Sequence, residues 1–87
     1  MNLVLKDIII TMLSKKYIGG KHTPEEKLLN SKTKWLQKED YRNFEKEYNV
    51  LINNQSILRT KKRTGKGSDW HISLNPRRLK ELNEMIN

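Results

Sequence analysis

An α+β domain, mainly helical with one small β-hairpin, is the fold class the sequence predicts, and three observations carry the prediction. Apolar residues recur at helical spacing in separate stretches. A strand-forming basic segment, Ile57 to Thr64, reverses through Gly65 and Gly67 and returns as Trp70-His71-Ile72-Ser73-Leu74. A capping residue followed by proline occurs twice, at Thr23-Pro24 and Asn75-Pro76, and marks helix starts. With 87 residues, the chain has room for a single domain, 1–87, with a small core.

The first helix is expected from about Leu3 to Tyr17, with Leu5, Ile8, Ile9, Met12 and Leu13 turned inward and Gly19-Gly20 ending it. Leu3, Ile10 and Tyr17 add an adjoining apolar face, which suits either a central helix or a face shared with a second subunit. Lys21-His22 reads as a very short strand. Thr23 then serves as N-cap, Pro24 as first helical residue and Glu26 as the far side of a capping box. This second helix, about Pro24 to Asn30, buries Leu28 and Leu29. Ser31 to Lys34 reads as a basic turn, and Trp35-Leu36 as an apolar anchor.

The third helix runs from Gln37 or Lys38 to Asn53, with Tyr41, Phe44, Tyr48, Leu51 and Ile52 on one side. Its outward ridge is Glu39, Arg42, Asn43, Lys46, Asn49, Val50 and Asn53. Asn53-Asn54-Gln55 breaks it ahead of the hairpin. Alternation along the hairpin assigns Leu58, Thr60, Trp70, Ile72 and Leu74 to a core face and Arg59, Lys61, Arg63, His71 and Ser73 to solvent, with Lys62 swinging clear near the turn. A last helix after Asn75-Pro76 carries Leu79, Leu82 and Ile86.

Eighteen basic residues against ten acidic give a net charge of +8 and a sequence pI of about 9.9, more than solubility requires, so an anionic partner is expected and nucleic acid is the first candidate. There is no cysteine, which removes disulfides and thiolate chemistry. His22 and His71 are the only histidines, too few for an assembled metal set, so no metal and no cofactor are expected. Lys6 and Asp7 interrupt the apolar N-terminal run, which argues against a signal peptide or membrane span and for a cytoplasmic protein. Gly65 and Gly67 lack the context of a phosphate-cradling loop. No nucleophile, base and orienting group are recognisable, so the chain reads as a non-enzyme. Trp35 and Trp70 read as core, with base stacking as their functional alternative. Arg77 and Arg78 open the last helix, where positive charge opposes the helix dipole, which suits a phosphate contact or plain solvated surface.

The order helix, short strand, helix, helix, strand, basic turn, strand, helix resembles the winged helix-turn-helix domain over nearly the whole chain. The segments Ile18-Gly19-Gly20-Lys21-His22-Thr23-Pro24-Glu25 and Ile72-Ser73-Leu74-Asn75-Pro76-Arg77-Arg78-Leu79 are also similar to small uncharacterised winged-helix proteins of archaea. The family resemblance implies double-stranded DNA binding by a transcriptional regulator or DNA-maintenance accessory protein. It implies a recognition helix at about 37–53, read through Arg42, Asn43, Lys46 and Asn49, and a wing at about 57–74 that grips backbone through Arg59, Lys61, Lys62, Arg63 and Lys66. Lys32 and Lys34, in the turn between the second and third helices, are further backbone candidates.

The ridge has suitable chemistry, since Asn can bond adenine in a bidentate way and Arg or Lys can donate to guanine. Lys38, Arg42 and Lys46 are nevertheless outweighed by Glu39, Asp40, Glu45 and Glu47, leaving the helix at −1. Most of the binding energy is therefore expected from the wing. Winged helices also serve as protein-interaction modules in transcription or replication assemblies, and that is the alternative reading; RNA is a third. A homodimer through the first and last helices is a further expectation.

Overall fold

The structure, a computed structural model, describes residues 1–65 and 67–87, so the expectation for Lys66 lies outside the described residues. Helix α1 is Leu3–Ser14, strand β1 Thr23–Pro24, helix α2 Glu25–Thr33, helix α3 Lys38–Asn53, strand β2 Ile57–Thr64 and strand β3 Gly67–Leu74. A 3₁₀ turn, Pro76–Arg78, leads into helix α4, Leu79–Ile86. The strands form one antiparallel sheet in the order β1-β3-β2. This is the α+β class that the sequence predicts.

Helix α1 starts where Asn2 caps it, its side chain accepting from the Val4 and Leu5 amides. It ends three residues earlier than expected. Lys16 takes a left-handed backbone, φ 58°, and the Tyr17 and Lys16 amides donate back to Met12 and Leu13. That is a Schellman closure without the usual glycine. The same device ends α3, where Gln55 has φ 64° and the Ser56 amide donates to the Leu51 carbonyl.

The expected capping box does not form. Thr23 is drawn into the sheet opposite Ile72, Pro24 takes the cap position without a side-chain bond, and the short strand falls on Thr23–Pro24 rather than Lys21-His22. At its other end α2 runs through Ser31 to Thr33, which had read as turn. The Ser31 and Thr33 hydroxyls donate to the Leu28 and Leu29 carbonyls and so remain compatible with helix.

The core is Leu5, Ile8, Ile9 and Met12 of α1, Phe44, Tyr48 and Leu51 of α3, Ile57, Ile72 and Leu74 of the sheet, and Leu82 of α4. Tyr41 stays partly open at the rim, and Trp35, expected as an anchor, is 77% exposed while Leu36 packs. Leu79 and Ile86 lie against the core beside Leu82, with α4 packed on α1, so the α4 stripe expected at a dimer interface is used within the chain. Leu3 and Ile10 remain exposed.

The hairpin corrects the expected faces. Ile57 pairs with Leu74, Arg59 with Ile72, and Lys61 with Trp70. Residues opposite one another share a face. Arg59, Lys61 and Arg63 therefore lie on the face of Trp70, Ile72 and Leu74, whereas His71 and Ser73 lie with Leu58 and Thr60. Ser73 is buried and Thr60 is exposed, each the reverse of the expectation. Reading Leu58 instead of Ile57 as the partner level of Leu74 is a one-residue slip, and such a slip exchanges every side chain between faces.

Candidate nucleic-acid interface

Of the described hairpin cations, Arg59 is the one that pairs with the body of the domain. Its Nε and Nη2 donate to the two carboxylate oxygens of Glu25, both at 2.8 Å. The guanidinium lies 4.1 Å from the Trp70 ring centroid. Glu25 in turn accepts from the Tyr48 hydroxyl at 2.6 Å. One carboxylate at the start of α2 thus joins the hairpin to α3.

This bidentate geometry suits guanidinium in particular. Hydrogen bonding to Glu25 raises the Arg59 pKa further. Burial first, then the bond to Glu25, raises the Tyr48 pKa, so its hydroxyl remains a donor. No local pattern pointed to Glu25 and Tyr48, which are 23 residues apart.

Beyond this clamp, Lys61, Lys62 and Arg63 are all exposed, and among the described residues none has an ion-pair partner. Lys61 hovers 5.6 Å from the Trp70 centroid, so Trp70 sits beneath two cations and is 40% exposed. Between the hairpin and the helices runs a groove of about 690 Å³, with Trp70 and Asp69 on one side and Glu26 and Tyr41 on the other.

On α3, Arg42, Asn43, Lys46 and Asn49 are all exposed, as the expected ridge requires. Phe44, Tyr48 and Leu51 hold the opposite side in the core and so set the rotation of the helix. The two turn lysines differ. Lys32 is partly buried and pairs with Asp7 at 3.1 Å, whereas Lys34 lies 4.7 Å over the exposed Trp35 ring.

The two histidines lie apart from the clamp, on the other face of β3. Their Nδ1 atoms are 2.8 Å apart and their rings meet edge to face. Partial desolvation, then the Lys62 ammonium and the His71 ring, lower the His22 pKa from its ordinary value.

The segments 18–25 and 72–79 are brought into contact along β3. Gly19 donates to the Leu74 carbonyl, and the Leu74 amide donates to Tyr17. A Cβ on Gly19, whose φ is +61°, would come within 3.2 Å of the Pro76 ring. Asn75 closes the unit, accepting from the Arg77 amide and donating to the Gln55 carbonyl. Comparison with family models, with curated proteins and with solved structures returned no match. Among the described residues, no helix is long and apolar enough to cross a membrane.

Proposed function

We propose that the chain is a winged helix-turn-helix domain that binds double-stranded DNA. In this reading α2, the turn at 34–37 and α3 form the helix-turn-helix, and the β2–β3 hairpin is the wing. The observation that carries it is the set of exposed cations Lys61, Lys62 and Arg63, without ion-pair partners among the described residues, on the outer half of a hairpin whose base is clamped to the body. Such cations contact phosphate without reading sequence. The exposed Arg42, Asn43, Lys46 and Asn49 supply base-edge chemistry within one helix. Arg59 is removed from the contact set because Glu25 holds it, and Lys32 because Asp7 does. In this reading the chain is a transcriptional regulator or a DNA-maintenance accessory protein.

Titration against duplex DNA at several salt concentrations tests the reading. Neutralising four to five phosphates gives a log-log salt slope of about −4. Arg42→Ala or Asn49→Ala should relax sequence preference, by about 1–3 kcal/mol per lost bidentate contact. No binding at about 50 mM salt would overturn duplex recognition and favour a protein-interaction module. That second reading draws on Trp35 and Leu3, which are 77% and 79% exposed. Leu3 and Ile10 are also what α1 offers a second copy of the chain.

A further inference from the structure

His22 and His71 are the chain's only histidines, and the fold brings them into direct contact. Backbone pairing fixes the approach. Thr23 and Pro24, directly after His22, pair with Ile72 and His71, and the preceding loop is tied to Leu74 through Tyr17 and Gly19. The two rings point the same nitrogen at each other, Nδ1 to Nδ1, at 2.8 Å.

As a hydrogen bond, that contact needs a proton on one Nδ1 and a bare lone pair on the other. With neither Nδ1 protonated, the same approach sets two imidazole lone pairs side by side in the space between the rings. Nitrogens held about 2.0–2.1 Å from a first-row ion stand about 2.9 Å apart at a right angle and about 3.3 Å apart at the tetrahedral angle. The observed separation is close to the first value, and small ring rotations reach the second.

We propose that His22 and His71 form a bidentate site for a borderline divalent transition-metal ion, copper(II) or zinc, bound through both Nδ1 atoms with water completing its shell. Imidazole suits this class of ion, whereas calcium and magnesium favour oxygen ligands. Among the described residues no third His, Cys, Asp or Glu converges with the pair. The site is therefore open on one side and of modest affinity, with copper(II) bound more tightly than zinc. Lys62, whose charge reaches His22, is exposed, and its flexible stem lets the ammonium withdraw from an arriving dication. The ion would fasten the loop before β1 to β3, a task separate from DNA contact, so this inference stands whether or not the chain binds DNA.

The experiment titrates the full chain with zinc while the imidazole ¹⁵N resonances are followed, and with copper(II) while its paramagnetic resonance spectrum is recorded. At one equivalent of zinc both Nδ1 resonances should move together, and the copper spectrum should show two coordinated nitrogens. His22→Ala and His71→Ala should each weaken copper binding by about tenfold or more, because the second ligand no longer acts within the same molecule at high effective concentration. Circular dichroism establishes that each variant is folded; if His71→Ala is not, His22→Gln and the parent's own spectra decide. Movement of only one ring, unchanged affinity in folded single variants, or no response at about 1 mM zinc would overturn the proposal.

Discussion

Arg59 and Arg63 are the same residue type on the same face of β2, yet they meet different surroundings. Arg59 stands at the base of the hairpin, bonded twice to Glu25 and stacked on Trp70, with Tyr48 holding the carboxylate from the other side. Arg63, four residues and so about 13 Å further out along the strand, is exposed and has no ion-pair partner among the described residues. The strand carries both out of the body along one line, so distance from α2 decides which cation is neutralised. Counting hairpin cations from the sequence therefore overstates the charge offered to a ligand. The base fixes the hairpin's angle, and the tip carries the free charge.

The largest expected effect breaks the tip. Replacing Lys61, Lys62 and Arg63 together with Ala should flatten the salt slope by about 2.7 and lower duplex affinity by about two orders of magnitude at about 100 mM salt. Thermal stability should change by no more than about 0.5 kcal/mol, since these side chains touch little. Fluorescence anisotropy and melting curves on the same samples check both halves. Unchanged affinity with unchanged stability would mean that the tip does not contact DNA.

A smaller effect, of opposite character, is expected at the base. Glu25→Ala removes the acceptor shared by Arg59 and the largely buried Tyr48, and should destabilise the fold by about 1–2 kcal/mol in chemical denaturation. That figure is already discounted, because the Arg59 side chain is 36% exposed and water screens the pair. Glu25→Gln separates charge from bonding: it keeps an oxygen for Tyr48 while freeing the Arg59 charge. Its salt slope should steepen by up to about 0.9, as one more phosphate contact becomes available. A Gln variant with the parent's slope would show that Arg59 does not reach DNA even when released.

The difference between base and tip was only half legible in the sequence. Element order was readable, as were the limits of α3 and the Asn75 cap, because each rests on local spacing or local bonding. The hairpin's faces were not. Ile57 and Leu58 are both apolar, so two registers looked equally good from either strand alone, and only the pairing with Leu74 chooses between them. The Thr23 cap failed for a related reason: a distant strand, through Ile72, competes for the same residue. Lys16 and Gln55 adopt left-handed backbones with no glycine to announce them, while Gly19-Gly20 advertised a later stop. The ridge on α3 was legible because a helix bound to the core by Phe44, Tyr48 and Leu51 leaves no choice about its outer side. Glu25, Tyr48 and Trp70 form their clamp from three elements, and no spacing within one element contains it.

The smallest expected effect contrasts the clamp with the histidine pair on the other face of β3. Arginine does not titrate near neutrality, so the Arg59–Glu25 link should hold its strength between pH 7.5 and 5.5. The pair behaves differently, because the His22 pKa is lowered in the folded state by desolvation, then by Lys62 and His71. Below about pH 6.5 the unfolded chain then binds more protons at this position than the folded one. Stability contributed by the neutral ring is present above that value and is lost as pH falls through the lowered folded pKa. Melting curves in a metal-chelating buffer should accordingly shift down on acidification from pH 7.5 to 5.5, and the shift should be smaller in His22→Gln. Glu25→Gln, which alters the clamp and leaves the imidazoles in place, should retain the parent's shift. If His22→Gln shows the same acid response as the parent, the pH sensitivity arises elsewhere and the two faces of β3 do not divide the work in this way.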